Sequence, residues 1–385
     1  MNASLDHHIV WPECDVVVLG GGPAGAAAAI TLARSGRSVV VIEKSHYEQP
    51  RIGETLPPAA RLSLAGLAVW EQFLAAGHRP SPGVLSVWGE DELYETHFLF
   101  NPYGQGWHLD RQRFDMMLAQ AAQQAGARLC CGAQVGSCLP LAAAGWQVEF
   151  TSGFTGRGRC HQLHATFVID ATGRAAVLAR QQGTKRLNTD RLVGLAGVLA
   201  ARARESACPE NACDACTLVE ACADGWWYSA LLPRARLMAV YMTDADLLPR
   251  HRGLWRAFWH ARLQQTTHTQ PRLHAFDLQA VPRVVAANSS RLDGVSGRGW
   301  LAVGDAAMAF DPLSSQGLMH ALASGMRAGE ALNGRLAGEA AAMGKYDRRA
   351  NEVFRDYARL RAVYYGREQR WPQSVFWRRR HAVAV

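Results

Sequence analysis

Gly20, Gly22 and Gly25 stand at the spacing G-x-G-x-x-G, and Glu43 follows eighteen residues after the last of them. Glycines so placed suit a pyrophosphate. The first allows a tight turn, the second lets the anion approach the backbone, and the third lets a following helix lie close to a sheet. The helix start then presents unpaired N–H groups to the phosphates. Glu43 can accept hydrogen bonds from both hydroxyls of an adenosine ribose. By itself the pattern fits FAD and NAD equally.

The elements that must position these residues are legible around them. "DVVVLG" at 15–20 and "RSVVVIE" at 37–43 read as buried strands. Between them, "GGGPAGAAAAITLARSG" reads as a glycine turn and an alanine-rich helix, with Pro23 near its first position. Strand–turn–helix–strand is the context a dinucleotide fingerprint requires. Further on, 57–77 predicts a helix, 84–100 alternating strands and 109–126 an amphipathic helix. Strands are expected at 127–139, 145–152 and 165–174, the last ending in a glycine turn. Residues 192–242 predict several strands and 244–265 an amphipathic helix. A buried strand and turn occupy 299–317, and helices most of 317–366. Dinucleotide-type elements thus fall in three blocks separated by strand-rich stretches, which predicts a discontinuous nucleotide domain with an inserted sheet domain.

Three motifs coincide in order: "GGGPAG" with Glu43, "VIDATGR" at 168–174, and "GDAAMAFDPLSSQG" at 304–317. Together they resemble FAD-dependent monooxygenases of the p-hydroxybenzoate hydroxylase fold. "RIGETLPP" at 51–58 narrows the resemblance to the branch of flavin-dependent halogenases and geranylgeranyl reductase-like enzymes. Within it, "GETLPP", "GWWYSALLP" and "DPLSSQG" look most like the flavoproteins that mature quinone-cofactor amine and amino-acid oxidases, which act on a tryptophan in a partner polypeptide. The fold implied is α/β. A discontinuous Rossmann-like FAD domain takes 1–78, 104–183 and 292–345. An inserted, mainly antiparallel β-sheet substrate domain takes 79–103 and 184–291, and C-terminal helices take 346–385.

The resemblance also implies roles. Asp305, after Gly304, binds the ribityl chain of FAD, and a short acid after a buried strand suits a sugar hydroxyl. Gly317 and Leu318 offer backbone N–H groups to the flavin pyrimidine. Arg111, Asp170 and Gly173 contact the cofactor, and by the same matches so do Pro23, Ala24, Lys44, Arg51, Gly53, Val135 and Pro312. Glu54 and Gln316 lie near the isoalloxazine and are the catalytic candidates. The hydroxylases' Asp-Gly pair reads Asp-Ala-Thr-Gly here, so the electron donor is either NAD(P)H or a separate flavin reductase.

"GWWYSALLP" at 225–233 carries the substrate face. Alternation puts Trp226, Tyr228, Ala230 and Leu232 on one side and Trp227, Ser229 and Leu231 on the other. The related motifs W-x-W-x-I-P and Y-x-W-x-F-P hold a tryptophan where Ala230 stands. The expectation is a gap one indole wide, filled either by a core ring such as Trp88 or Trp107 or by a bulky aromatic substrate. Trp226, Tyr228 and Ala230 are the substrate candidates. Tryptophan halogenases relay oxidised halogen through a lysine, and the lysines here are Lys44, Lys185 and Lys345 only, none between 44 and 185. Arginine does not replace it, since it stays protonated and is a poor nucleophile.

Composition sets the remaining bounds. The chain has 385 residues, 49% hydrophobic and 19% charged, so a large core is expected. The net charge of +8 is spread out except at "WRRRH", 377–381, which argues against nucleic acid. No apolar run is long enough for a membrane span, and no secretory signal is evident, so the cytoplasm is the expected compartment. Cys208, Cys213, Cys216 and Cys222 are spaced C-x4-C-x2-C-x5-C but lack a second CxxC pair, and they read as incidental or redox-active thiols rather than metal ligands. The function expected is an FAD monooxygenase in which reduced flavin and O2 give a C4a-hydroperoxide that hydroxylates an aromatic, preferably a tryptophan in a protein or peptide. Alternatives are a hydroxylase of a free small aromatic, a halogenase, an isoprenoid reductase and a non-catalytic FAD-binding scaffold.

Overall fold

The computed structural model describes residues 9–153, 159–202 and 215–382. Continuous apolar runs favour strands covered on both faces, and these become a parallel sheet. β1 (Cys14–Leu19), α1 (Pro23–Arg34) and β2 (Val39–Glu43) form the first unit, and every residue of β2 is buried. α2 (Arg111–Gln124) leads into β3 (Arg128–Cys131), and β4 (Arg159–Asp170) lies on the other side of β1. β4 continues away from this parallel core as an antiparallel ladder with Trp146–Ser152, which pairs in turn with Ala133–Pro140.

The second sheet is built from residues 83–97 and 192–286. Its centre is β5 (Leu192–Ala201), β6 (Thr217–Cys222), β7 (Gly225–Leu232) and β8 (Arg236–Asp244). Neighbours are antiparallel except β6 with Gly83–Val87. The chain passes between the two sheets through small ribbons. One is Thr55–Leu56, Gly106–His108 and Arg79–Ser81; the other is Arg186–Asn188, Ser290–Leu292 and Met308–Ala309.

β9 (Trp300–Ala302) then returns to the first sheet beside β4. α3 (Gly317–Leu336) follows and lies on α1 through small residues. A Cβ at Gly325 would stand 2.1 Å from Ala24 O and 2.9 Å from Ala27 Cβ, so glycine is required by the close approach. α4 (Ala342–Arg367) and α5 (Val375–His381) finish the chain. α5 is pinned to the second sheet: Trp377 donates to Cys222 O at 2.9 Å, and Arg380 pairs with the buried Asp244 at 2.8 Å.

Two expected helices come out shorter. The 57–77 stretch is broken into Ala60–Gly66 and Trp70–Ala75. Ala68 adopts φ +44° between them, and the amide of Val69 turns back to Leu64 O, a helix-ending pattern that alanine carries here without glycine. The helix expected over 244–265 forms only at Trp255–Leu263, after 3₁₀ turns. Gly325→Ala is predicted to force α1 and α3 apart, costing about 1–3 kcal/mol as overpacked sites do. A lowered denaturant midpoint would show it; an unchanged midpoint would mean the helices do not rely on this contact.

Candidate functional site

Both N-termini, of α1 and of α3, open toward the C-terminal edge of the parallel sheet with no side chain capping either. Uncapped helix starts attract anions and polar acceptors. At the first, Gly20 holds φ +104° with its missing Cβ 2.4 Å from Ala171 O, and a Cβ on Gly25 would be 2.0 Å from Gly20 O. Gly22 faces outward, and a Cβ there would meet only the Arg51 guanidinium, 3.6 Å away. Pro23 and Ala24 form the first buried turn of α1.

Glu43 closes β2 and is buried. One carboxylate oxygen accepts from Gly21 N at 2.7 Å; the other takes Ser45 N and Oγ and Arg51. Arg51 also meets Asp115 at 3.2 Å, so it spans Glu43 and α2. Lys44, next to Glu43, is exposed. Arg111 pairs with Asp115 and donates to the carbonyls of Ile52 and Gly53, each at 2.9 Å. It therefore fixes the "RIGE" segment. Across the sheet edge, Asp305 lies in the turn after β9, its side chain 42% exposed and 3.7 Å from Arg174. Arg186 braces that turn from below through Asp305 O and Ala306 O.

A cavity of about 320 Å³ opens beside this edge, between the two sheets. Its polar lining includes Glu54, Thr55, Arg174, Tyr228, Asp305 and Asp311, and its apolar lining Ile52, Val240, Met242, Val285, Phe310 and Leu318. Gly53, Pro312 and Gly317 also reach it. Tyr228 and Thr55 share a hydroxyl hydrogen bond of 2.7 Å. Asp311 is committed elsewhere: it accepts from Leu313 N, from Arg361 and from Tyr365 Oη. Glu54 differs. It is 2% exposed, and neither carboxylate oxygen has a hydrogen-bond partner. Loss of solvent pushes its carboxyl up to about 7, against the opposing pull of Arg111.

Several expected site residues lie elsewhere. Trp226 is fully buried and donates to Tyr365 Oη at 3.1 Å, under Trp88 and α5. Ala230 is also fully buried, opposite Met238, and does not line the cavity. Of the three substrate candidates only Tyr228 does, because α4 and α5 cover the Trp226 end of the strand. Gln316 precedes the first turn of α3 without a capping side-chain bond and lies outside the lining, whereas Glu54 is in it. The Asp170 carboxylate accepts from Thr172 N and Oγ1 and from Ala179 N, and so shapes the turn around Gly173. Val135 is half-buried at a bulge in its strand. Cys208 and Cys213 lie outside the described residues; among those described, no cluster of His, Cys, Asp or Glu could hold a metal.

Sequence reasoning missed Asp115, Arg174, Tyr47 and the Arg361–Tyr365 pair. The i,i+4 spacing from Arg111 to Asp115 was a usable signal. Tyr47, whose hydroxyl donates to Gly21 O at 3.0 Å, had none.

A family model described as FAD binding domain matches residues 13–359. The chain belongs to that family. The uncapped helix starts, Glu43 and Asp305 fit its cofactor, FAD, which supplies the redox chemistry when bound. Over 96% of this chain and 98% of its own length, LodB of Marinomonas mediterranea, assigned as an FAD-dependent oxidoreductase, is 29% identical. A tryptophan 2-halogenase of Chondromyces crocatus is 27% identical over 94% of this chain and 69% of its own. The halogenase CndH shares the fold with a TM-score of 0.86 at 23% identity, covering 97% of this chain and 87% of its own. QhpG, a peptidyl tryptophan dihydroxylase essential for tryptophylquinone cofactor biogenesis, has a TM-score of 0.77 at 29% identity, covering 96% and 79%. The chain is a flavin-dependent oxidoreductase of halogenase-like fold. No helix among the described residues is long and apolar enough to cross a membrane.

Asp305→Ala is predicted to weaken FAD binding by about 1.5–3 kcal/mol, roughly ten- to hundredfold, through loss of a charged acceptor. Titration of apoprotein with FAD measures it, and equal affinity would remove Asp305 from the cofactor site. Ala230→Trp is predicted to overpack the sheet by about 1–3 kcal/mol. A variant as stable as the parent would instead reveal open space there.

Proposed function

We propose that the protein is an FAD-dependent monooxygenase that hydroxylates a tryptophan side chain in a partner protein or peptide, as a step in maturing a quinone cofactor. The observation that carries this is the cavity: one aromatic ring's worth of apolar wall, beside the start of α3, with no lysine in its lining. The likeness to QhpG, which spans most of this chain, supports the choice of a peptidyl tryptophan, because that protein is a peptidyl tryptophan dihydroxylase. The halogenase likeness supports the alternative, but the lysines lie away from the lining, at 44, 185 and 345.

The reaction balances as a monooxygenation. One atom of O2 forms the new C–O bond on the ring and the other leaves as water, with two electrons and two protons drawn from reduced flavin and solvent. NAD(P)H or a separate flavin reductase supplies those electrons. The protein's own contribution is to hold the ring dry against Ile52, Val240, Met242 and Phe310 and to present Tyr228 and Glu54 at its edge. The substrate carries its own backbone, so the cavity needs to seat only the side chain.

The test is turnover of a tryptophan peptide with reduced flavin, O2 and excess bromide, read by mass spectrometry. Oxygen-atom addition without bromine is the expected outcome. Bromotryptophan would establish the halogenase reading instead, and turnover of free small phenols alone would replace the peptide as substrate.

A further inference from the structure

We infer that Glu54 is the group that recognises the ring N–H of the substrate and takes its proton as the ring is oxidised. This rests on the monooxygenase reading above and adds what that reading lacks, a protein group that distinguishes an indole from other arenes.

Three carboxylates line the cavity, and two are already engaged: Asp305 by Arg174, and Asp311 by Arg361, Tyr365 and Leu313 N. Glu54 alone has both oxygens unpartnered while 2% exposed. A buried carboxyl left so is costly unless a ligand supplies the missing donor. The surrounding cations do not supply it. Arg111 spends its N–H groups on Asp115 and on the carbonyls of Ile52 and Gly53. Arg283, on the strand Arg283–Ala286, acts on Glu54 only through its field, and its guanidinium reaches Pro50 O. From β7, Tyr228 has its hydroxyl on Thr55. From the turn after β4, Arg174 is held by Asn288 and Asp305. An N–H donor on an otherwise apolar ring is the chemical complement of this arrangement.

The proton inventory closes. As oxygen bonds to the ring carbon, two ring electrons form the C–O bond, the O–O bond breaks with its electron pair leaving on the oxygen that becomes water, and the nitrogen lone pair delocalises into the ring. The N–H proton passes to the Glu54 carboxylate. The proton on the oxidised carbon then leaves to solvent, its bonding pair restores the aromatic ring, and Glu54 returns its proton to nitrogen. Glu54 ends as the carboxylate it began as. With its carboxyl near 7, it is poised between acceptor and donor in the neutral range.

The test compares a tryptophan peptide with its 1-methyltryptophan analogue, on the FAD-loaded wild type and on Glu54→Gln. Binding to the oxidised enzyme and kcat/KM in turnover are both read. Wild type should bind the N–H peptide about tenfold or more tightly at pH 8. It should also turn that peptide over faster by roughly a hundredfold. In Glu54→Gln, which retains an acceptor but not a base, kcat/KM for tryptophan should fall by a similar factor. The rise of kcat/KM through about pH 7 should disappear with it. Equal binding and equal turnover of the two peptides by wild type would overturn the assignment without involving any variant. Hydroxylation of neither peptide would overturn the monooxygenase reading and this inference with it.

Discussion

The site depends on how closely α1 and α3 approach. Both helices begin at the C-terminal edge of the parallel sheet, and they touch where Gly325 meets Ala24 and Ala27. Small residues at that crossing let two uncapped N-termini open at the same edge of the sheet. Glu43, at the end of β2, and Asp305, in the turn after β9, then flank these ends. A helix pair held apart by larger side chains would leave one of these ends out of reach.

A second constraint follows from two sheets sharing one site. The chain crosses between them in short ribbons; Thr55 lies in one of these with Glu54 just before it, while Asp305 to Asp311 adjoin the other. Arg111 ties the first crossing to α2, and Arg174 and Arg186 tie the second to the turn after β9. With the crossings fixed, a carboxyl can be held dry and without a partner. The desolvation that raises the Glu54 carboxyl is therefore a product of the architecture, not of a neighbouring charge; Arg111 pulls the other way.

The nucleotide half was legible because its signals are local. A strand, a glycine turn, a helix and an acid lie within thirty residues, and the structure arranges them as their types require. Alternation along "GWWYSALLP" correctly divided the two faces: Trp226, Tyr228 and Leu232 pack in one cluster, Trp227 and Leu231 in another. It did not indicate which stretch of the face stays open. That is decided by Tyr365 and Trp377, more than 130 positions away, which cover Trp226 and leave Tyr228 at the cavity. Asp170 shows the same limit. A motif match names the residue, but only the turn geometry shows its oxygens consumed by Thr172 and Ala179. The unpartnered state of Glu54 was equally invisible, since it depends on where each neighbouring arginine spends its N–H groups.

The most direct test of the account is a crystal structure of the FAD-loaded protein with a tryptophan peptide bound. The account predicts FAD along the two helix starts. It places the indole in the cavity between Tyr228 and Phe310, its N–H within hydrogen-bond distance of Glu54. An indole bound outside this cavity, or within it with its N–H turned away from Glu54, would contradict it.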